Sequence, residues 1–414
     1  MRIRKKHIAL LYVISLLMTE FYVIEFLGGS LRPFHFLTVA VLVSLYGYLP
    51  GLIRNPIFWF MSAFLLVNIL AAAMAENPPQ AYKSLGLLIA NMSIAVAIAL
   101  VLMSGLLRLQ DVIEVSFLVA AFGILVGVTQ VAILKLTGID LSISEAQSGQ
   151  ISSGFSTGFK TEANTFAKYL NIVLLLNLPV LLAKRTQRSS RTRLFILVVG
   201  FLTSFTRSVL YPMPLTLFLI YYWYQSTARG AAIRKRPFFV LALTFIGAAV
   251  FILVVPSFNE YTAHKLKYFF DMSEILEGSS SAYRLNSQEV MWDAYFKNIQ
   301  TILIGNGWGQ VYYMVGGEKV QAGGAELLTV FAYGGLFAGI FYLVYMLTAI
   351  VKVHRKILML GNEAVAKSME GVLFALVGML VTGQLNGAMI APEYWMVLGM
   401  AIYVGGTQSS FFKQ

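Results

Sequence analysis

Long apolar runs, parted by short polar or turn-forming breaks, repeat almost from one end of the chain to the other. About 20 apolar residues in helical form cross a bilayer. Runs set against breaks predict about twelve spans, at 8–27, 34–50, 57–75, 85–105, 112–135, 164–183, 194–206, 209–224, 238–256, 326–351, 370–389 and 395–411. The seventh and eighth are short, and a tight reversal at Thr206-Arg207-Ser208 joins them. The pattern predicts an all-α polytopic membrane protein in which 1–414 form a single integral-membrane domain. Two long segments, 137–163 and 257–325, leave the membrane on the same side; the larger lies between helices 9 and 10. Within it a helix is expected over 282–297, capped by Ser279-Ser280-Ser281. Leu285, Trp292 and Phe296 share one stripe of that helix, and Arg284 and Gln288 another face, so it suits the membrane surface above the bundle. No internal repeat is evident.

Composition agrees with the pattern. The chain has 414 residues, 58% apolar and 12% charged, without cysteine, and its mean hydropathy is +0.74. Ordinary globular domains carry about 25% charged residues, so a soluble enzyme, a disordered chain and a disulfide scaffold are excluded. The formal charge of +12 points to nucleic acid only until the charges are located. With the N-terminus in the cytoplasm, as Arg2, Arg4, Lys5 and Lys6 suggest, 20 of the 31 Lys and Arg fall in cytoplasmic segments. The clusters Lys184-Arg185…Arg193, Arg229…Arg236 and Lys352…Lys367 share that side, the positive-inside pattern. Both termini are then cytoplasmic, and no nucleic-acid partner is expected. The first span follows a basic segment, but its apolar run exceeds a signal peptide's 7–15 residues, so a retained helix is expected.

Four histidines and no cysteine give no metal-ligand spacing. Gly305-Asn306-Gly307-Trp308-Gly309 resembles part of a phosphate loop, yet lacks the following Lys-Ser/Thr; a turn that brings backbone close to a partner is expected. Neither a nucleotide nor a metal cofactor is implied. What remains is charge at the outer ends of spans, where an ionisable group is costly unless paired or facing a wet cavity. Arg207 is either a snorkelling interfacial arginine or an anion clamp, since guanidinium grips phosphate oxygens in pairs. Lys160 is either a solvated interfacial charge or part of a site. Glu162 and Glu326 each either complement a helix N-terminus or, in a partly desolvated cleft, act as general base. Glu20 and Glu25 lie near the outer end of the first span, within reach of the interface.

Three stretches, in this order, resemble the O-antigen polymerase/ligase superfamily of bacterial envelope glycosyltransferases. The first is Ser153-Gly154-Phe155…Glu162-Ala163-Asn164-Thr165-Phe166-Ala167-Lys168-Tyr169-Leu170, similar to the family's G-x-F…x-x-N-x-x-A-x-x-L. The second is Leu202-Thr203-Ser204-Phe205-Thr206-Arg207-Ser208, similar to T-x-[ST]-R-[GS]. The third runs from Tyr283-Arg284 past Trp292 to Leu303-Ile304-Gly305-Asn306-Gly307-Trp308-Gly309. It ends in Glu326-Leu327-Leu328…Tyr333-Gly334-Gly335-Leu336-Phe337-Ala338-Gly339. The resemblance covers about 150–345. Many members, ligases especially, have His-Asn where this chain has Gly323-Gly324-Ala325-Glu326, so it fits the polymerase branch (Wzy-type) better than a histidine-dependent ligase.

The resemblance implies a GT-C-like membrane glycosyltransferase of the bacterial inner membrane, acting on its outer face. It implies undecaprenyl-diphosphate-linked oligosaccharides as substrates, a metal-independent inverting transfer, and a polysaccharide chain-length regulator as partner. In that scheme Arg207 and Arg284, with Lys160 as a third, hold the diphosphate, and Glu326, or else Glu162, is the base. A ligase acting on lipid A-core is one alternative. A flippase that uses the same charged cavity without making a bond is the other.

Overall fold

The computed structural model describes residues 2–18, 24–26, 29–142, 145–152, 156–160, 162–182, 188–204, 209, 212–227, 279–315, 317–360, 363–384, 387, 389 and 391–406. Apolar runs without helix breakers become helices here because, in hydrocarbon, every backbone N–H and C=O must be paired within its own segment. In chain order these are α1 (Arg2–Leu17), α2 (Pro33–Ser44), α3 (Leu49–Ile53), α4 (Pro56–Ala73), α5 (Pro78–Met103), α6 (Leu109–Thr137), α7 (Glu145–Ser152), α8 (Ala163–Leu182), α9 (Arg188–Ser204) and α10 (Met213–Ser226). After the undescribed stretch come α11 (Ser279–Phe296), α12 (Ile299–Leu303), α13 (Glu326–Met359), α14 (Glu363–Gly383) and α15 (Pro392–Gly406). Two small antiparallel hairpins complete the described elements: β1 (Ile24–Phe26) with β2 (Gly29–Leu31), and β3 (Tyr312–Val315) with β4 (Glu318–Gln321).

The described residues are mostly helical, in keeping with an all-α membrane protein. Among the described residues six helices are long and apolar enough to cross a bilayer: α4, α5, α6, α8, α13 and Val365–Gly383 of α14. A seventh crossing is made if Pro33–Ser44 and Tyr46–Ile53, bent by 62°, count as one span. Lipid-facing stripes mark the outer helices: Leu118, Phe122 and Leu125 on α6, and Leu215, Phe218 and Tyr222 on α10, all exposed at helical spacing. α8 and α15 are buried almost all round. Small residues let the inner helices approach closely. A Cβ on Gly399 of α15 would lie 2.5 Å from the Ala95 carbonyl of α5, and Gly371 of α14 is pressed against the Leu176 carbonyl of α8.

Several expected spans are recovered within a few residues, and others differ for local reasons. The first ends at Leu17, well short of 27, and Ile24–Phe26 pairs antiparallel with Gly29–Leu31 as β1 and β2. The expected 34–50 bends beyond Ser44, where Gly47 and Pro50 fall. α5 starts seven residues early because Asn77 caps it, accepting from the Gln80 N–H, and Pro78 occupies its first turn. The expected ninth span, 238–256, lies outside the described residues. The expected helix 282–297 is α11.

At one end of the bundle Asn55 Nδ2 donates to the Ile402 carbonyl (2.6 Å), Arg193 pairs with Glu114, and Trp223 Nε1 donates to His354. The opposite end carries the functional candidates and is covered by α11, α12 and β3–β4.

Candidate functional site

α13 is a single run of helical residues interrupted at Gly335, whose φ of 75° and ψ of −174° no helix contains. The interruption is a reversal. Tyr342 Oη donates to Glu326 Oε1 at 2.6 Å although sixteen positions separate them. A straight helix would hold those residues about 24 Å apart, beyond the joint reach of the two side chains. Phe331 also packs its ring against Gly339. Residues 326–334 therefore form a short arm that folds back along the long arm, 336–359.

The glycine motif makes this reversal possible. Where the short arm ends, its last carbonyls lose their helical partners. The Ala332 carbonyl instead accepts from the Asn306 backbone N–H (3.0 Å) and Nδ2 (2.8 Å), and the Tyr333 carbonyl accepts from Gly307 N–H (2.9 Å). The two backbones cross so closely that a Cβ on Gly335 would lie 2.5 Å from the Ile304 carbonyl carbon, and one on Gly305 would meet the Tyr333 carbonyl. Gly305-Asn306-Gly307 is thus the close-approach turn expected from the sequence.

The fold-back carries Glu326 into the bundle, where it is 2% exposed. Its Oε2 lies beside Gly383 at the end of α14, 2.7 Å from where a Cβ would stand. Tyr345 Oη and Tyr394 Oη lie 3.4 Å apart near Tyr342, whose ring is edge-on to Tyr345. Within the α14–α15 connection Gly387 is tied on both sides. Here Gly387 N–H donates to the Gly324 carbonyl (2.8 Å), and Lys168 Nζ of α8 donates to the Gly387 carbonyl (2.9 Å).

Lys160 is 1% exposed, its Nζ 3.4 Å from Glu393 Oε1 in the first turn of α15 and 5.6 Å from the Tyr169 ring centre. Glu393 is fully buried. The loop that presents Lys160 is clamped: Gln147 Nε2 of α7 donates to Thr157 Oγ1 (2.8 Å) and to the Gly158 and Lys160 carbonyls (both 3.2 Å). Ser156 N–H donates to the Thr203 carbonyl of α9, and Gly127 of α6 leaves room for Gly158.

Of the five sequence-predicted site residues, Glu326 and Lys160 lie buried on elements joined by the Gly324–Gly387–Lys168 bonds. Glu162 stands exposed beside the start of α8, apart from this cluster. Arg284 belongs to α11, though its side chain is outside the described residues; Arg207 lies outside them entirely, as does Glu20. Glu25 falls in β1 and its side chain is not described. Sequence reasoning missed Glu393, Lys168 and Tyr342. An acidic residue just after a proline reads as an ordinary helix start, and Glu393 lies two positions before the expected twelfth span, 395–411. Among the described residues no three His, Cys, Asp or Glu side chains gather to hold a metal ion.

No known family model and no curated protein matches this chain.

Proposed function

We propose that the chain polymerises undecaprenyl-diphosphate-linked oligosaccharide repeats into O-antigen or a related surface polysaccharide, on the outer face of the bacterial inner membrane. In this reading it has about twelve spans of GT-C-like kind, both termini are cytoplasmic, and Glu326 is the general base. The observation that carries it is the buried Glu326 carboxylate, held by Tyr342 at the tip of a fold-back arm that the resemblance motifs build. The orientation draws support from Arg54, Arg193, Lys352, Arg355 and Lys367, which cluster at the end of the bundle away from Glu326.

The donor sugar is already activated by its diphosphate, so the protein has two tasks. It aligns and deprotonates an acceptor hydroxyl, and it stabilises the leaving diphosphate with fixed cations in a low-dielectric site. Glu326 takes the hydroxyl proton as oxygen attacks the anomeric carbon, with inversion there; the C–O bond to the diphosphate breaks. Arg207 and Arg284 receive the departing charge. Lys160 adds a third positive charge nearby, steadied by Glu393. Glu162, exposed, is the weaker candidate base.

Purified protein, given a lipid-linked repeat in detergent without ATP and with a chelator, should produce a ladder of products. Glu326→Gln, Arg207→Ala and Arg284→Ala should each abolish it while the protein still inserts. A ladder undiminished in Glu326→Gln removes that residue from the chemistry. Adding lipid A-core as acceptor separates ligase from polymerase.

A second reading, a flippase for lipid-linked sugars, is favoured by the broken α13 and by the buried carboxylates of Glu326 and Glu393. It predicts unchanged substrate in the ladder assay and movement of the lipid-linked repeat across a proteoliposome membrane.

A further inference from the structure

Outside the buried cluster, the cap holds a groove of about 400 Å³, within the size range of small-ligand sites, roughly 300–1,000 Å³. It runs between α11, the stretch 306–312 and the α4–α5 turn. Its polar lining is Glu76, Asp293, Lys297, Asn306, Gln310 and Tyr312. Lys297 Nζ lies 2.7 Å from Glu76 Oε1 and ties α11 to the α4–α5 turn.

Two features separate this groove from an incidental surface cleft. Gln310 Nε2 is buried and has no acceptor among the described residues, although buried amide nitrogens are almost always paired. Asn306 spends its amide nitrogen on the Ala294 (3.1 Å) and Ala332 (2.8 Å) carbonyls, which fixes the amide plane at the groove's floor. The lining thus mixes acceptors (Asp293, Glu76 and the Asn306 Oδ1), a pure donor (Lys297) and groups that do both (Gln310, Tyr312).

That mixture selects by chemistry. A divalent cation wants oxygen ligands and no ammonium among them. A phosphate is repelled by two carboxylates. Val290, Ala294 and Val311 line it too, but an apolar ligand would leave the polar groups between them unanswered. A polyhydroxylated ligand, each of whose hydroxyls both donates and accepts, satisfies all of these groups. We infer that the groove is a glycan-binding subsite that holds sugar residues of the saccharide chain away from the reacting bond. This rests on the proposed polymerase reading for the identity of the chain. The placement suits it: Asn306 is bonded to Ala332, six residues and about 9 Å along the short arm from Glu326.

The test uses short oligosaccharides cut by mild acid from the surface glycan of the source cells, freed of lipid, and full-length protein in nanodiscs. Saturation-transfer NMR should show them bound to the wild type. Gln310→Leu and Asp293→Asn should each weaken binding about tenfold, the loss of one to two hydrogen bonds to ligand. Among the described residues the Gln310 side chain makes no hydrogen bond for leucine to break, so that variant should keep the wild-type elution profile. Glu326→Gln should bind as the wild type does. Absence of saturation transfer to the wild type, or undiminished transfer in both groove variants, overturns the subsite. If Glu326→Gln still extends polymer while the groove variants lose glycan binding, the assigned base fails and the subsite stands. If Glu326→Gln stops polymer while the wild type binds no released glycan, the subsite fails and the polymerase reading stands.

Discussion

Replacing Gly335 by alanine tests the reversal on which the position of Glu326 depends. Two costs add. At φ 75° and ψ −174° the backbone occupies a region that only glycine enters freely, and an L-residue there costs about 1–3 kcal/mol. The new methyl also has nowhere to go. Its neighbours are the backbone of Leu303 and Ile304, 2.5 Å away at the Ile304 carbonyl carbon, and backbone yields less readily than the end of a side chain. Forcing atoms into so tight a contact typically costs about 1–3 kcal/mol more. The total, about 2–6 kcal/mol, is a large part of the 5–15 kcal/mol by which folded proteins are stable. The expected relief is a parting of the short arm from the 303–307 turn, with loss of the Ala332 and Tyr333 carbonyl bonds. Trp308, buried with its ring 5.5 Å from Tyr333, sits beside that break. Thermal unfolding of the detergent-solubilised protein, followed by tryptophan emission, should show a lower Tm and a red-shifted native spectrum. Gly86→Ala is the comparison: this exposed helical glycine has nothing within 4 Å of its Cβ position, and alanine there should hold or raise Tm. A Gly335→Ala protein with wild-type Tm and spectrum would refute the reversal as described.

Other expectations follow from the same contacts. Because the chain has no cysteine, Phe331→Cys with Gly339→Cys gives a unique pair that should oxidise and resist maleimide labelling. A continuous helix would hold these positions about 12 Å apart, too far for a disulfide, and full labelling would count against the fold-back. Glu393→Leu alone strands Lys160 near no carboxylate of α15 and should cost about 3–5 kcal/mol, whereas adding Lys160→Met should recover most of that; strictly additive losses in Tm would sink the pairing. Tyr342→Phe leaves a buried carboxylate oxygen short of its donor, for a loss of about 1–3 kcal/mol and reduced ladder formation; unchanged activity would detach Tyr342 from the site. Glu76 is held below its usual range by the hydrogen bond and charge of Lys297. Its contribution is therefore present above its ordinary value of 4.5 and is lost as pH falls below it. The pair is exposed, so Lys297→Ala should lower Tm only slightly at pH 7 and not at all at acid pH.

The sequence made most of the scaffold legible because membrane helices announce themselves by length and hydropathy. The expected span 164–183 is α8, and 57–75 is α4, each within two residues at either edge. The same signal concealed what matters most about the site. Residues 326–334 are as apolar as the long arm that follows, so an unbroken run reads as one span; Gly334-Gly335 was the only local hint, and the proof is a contact sixteen residues long. Glu326 and Lys160 were identifiable as charges near apolar runs. Their burial was not, because it depends on Glu393 at the start of α15 meeting Lys160 and on Gly387 meeting Gly324. Glu162, only two residues from Lys160, is exposed whereas Lys160 is buried, and proximity in sequence could not distinguish the two.

The bond from Lys168 to Gly387 joins positions 219 residues apart, and Glu393 reaches Lys160 from the same late segment. On a ribosome, α8 is complete long before the α14–α15 connection has been made. A nascent chain that has inserted the first of these elements holds half a site and cannot acquire the other half until the final described helix docks at the centre of the bundle. Synthesis thereby sets the order of assembly: the Lys160–Glu393 pair and the Lys168–Gly387 bond close last, and a chain truncated before α15 lacks the carboxylate that faces Lys160.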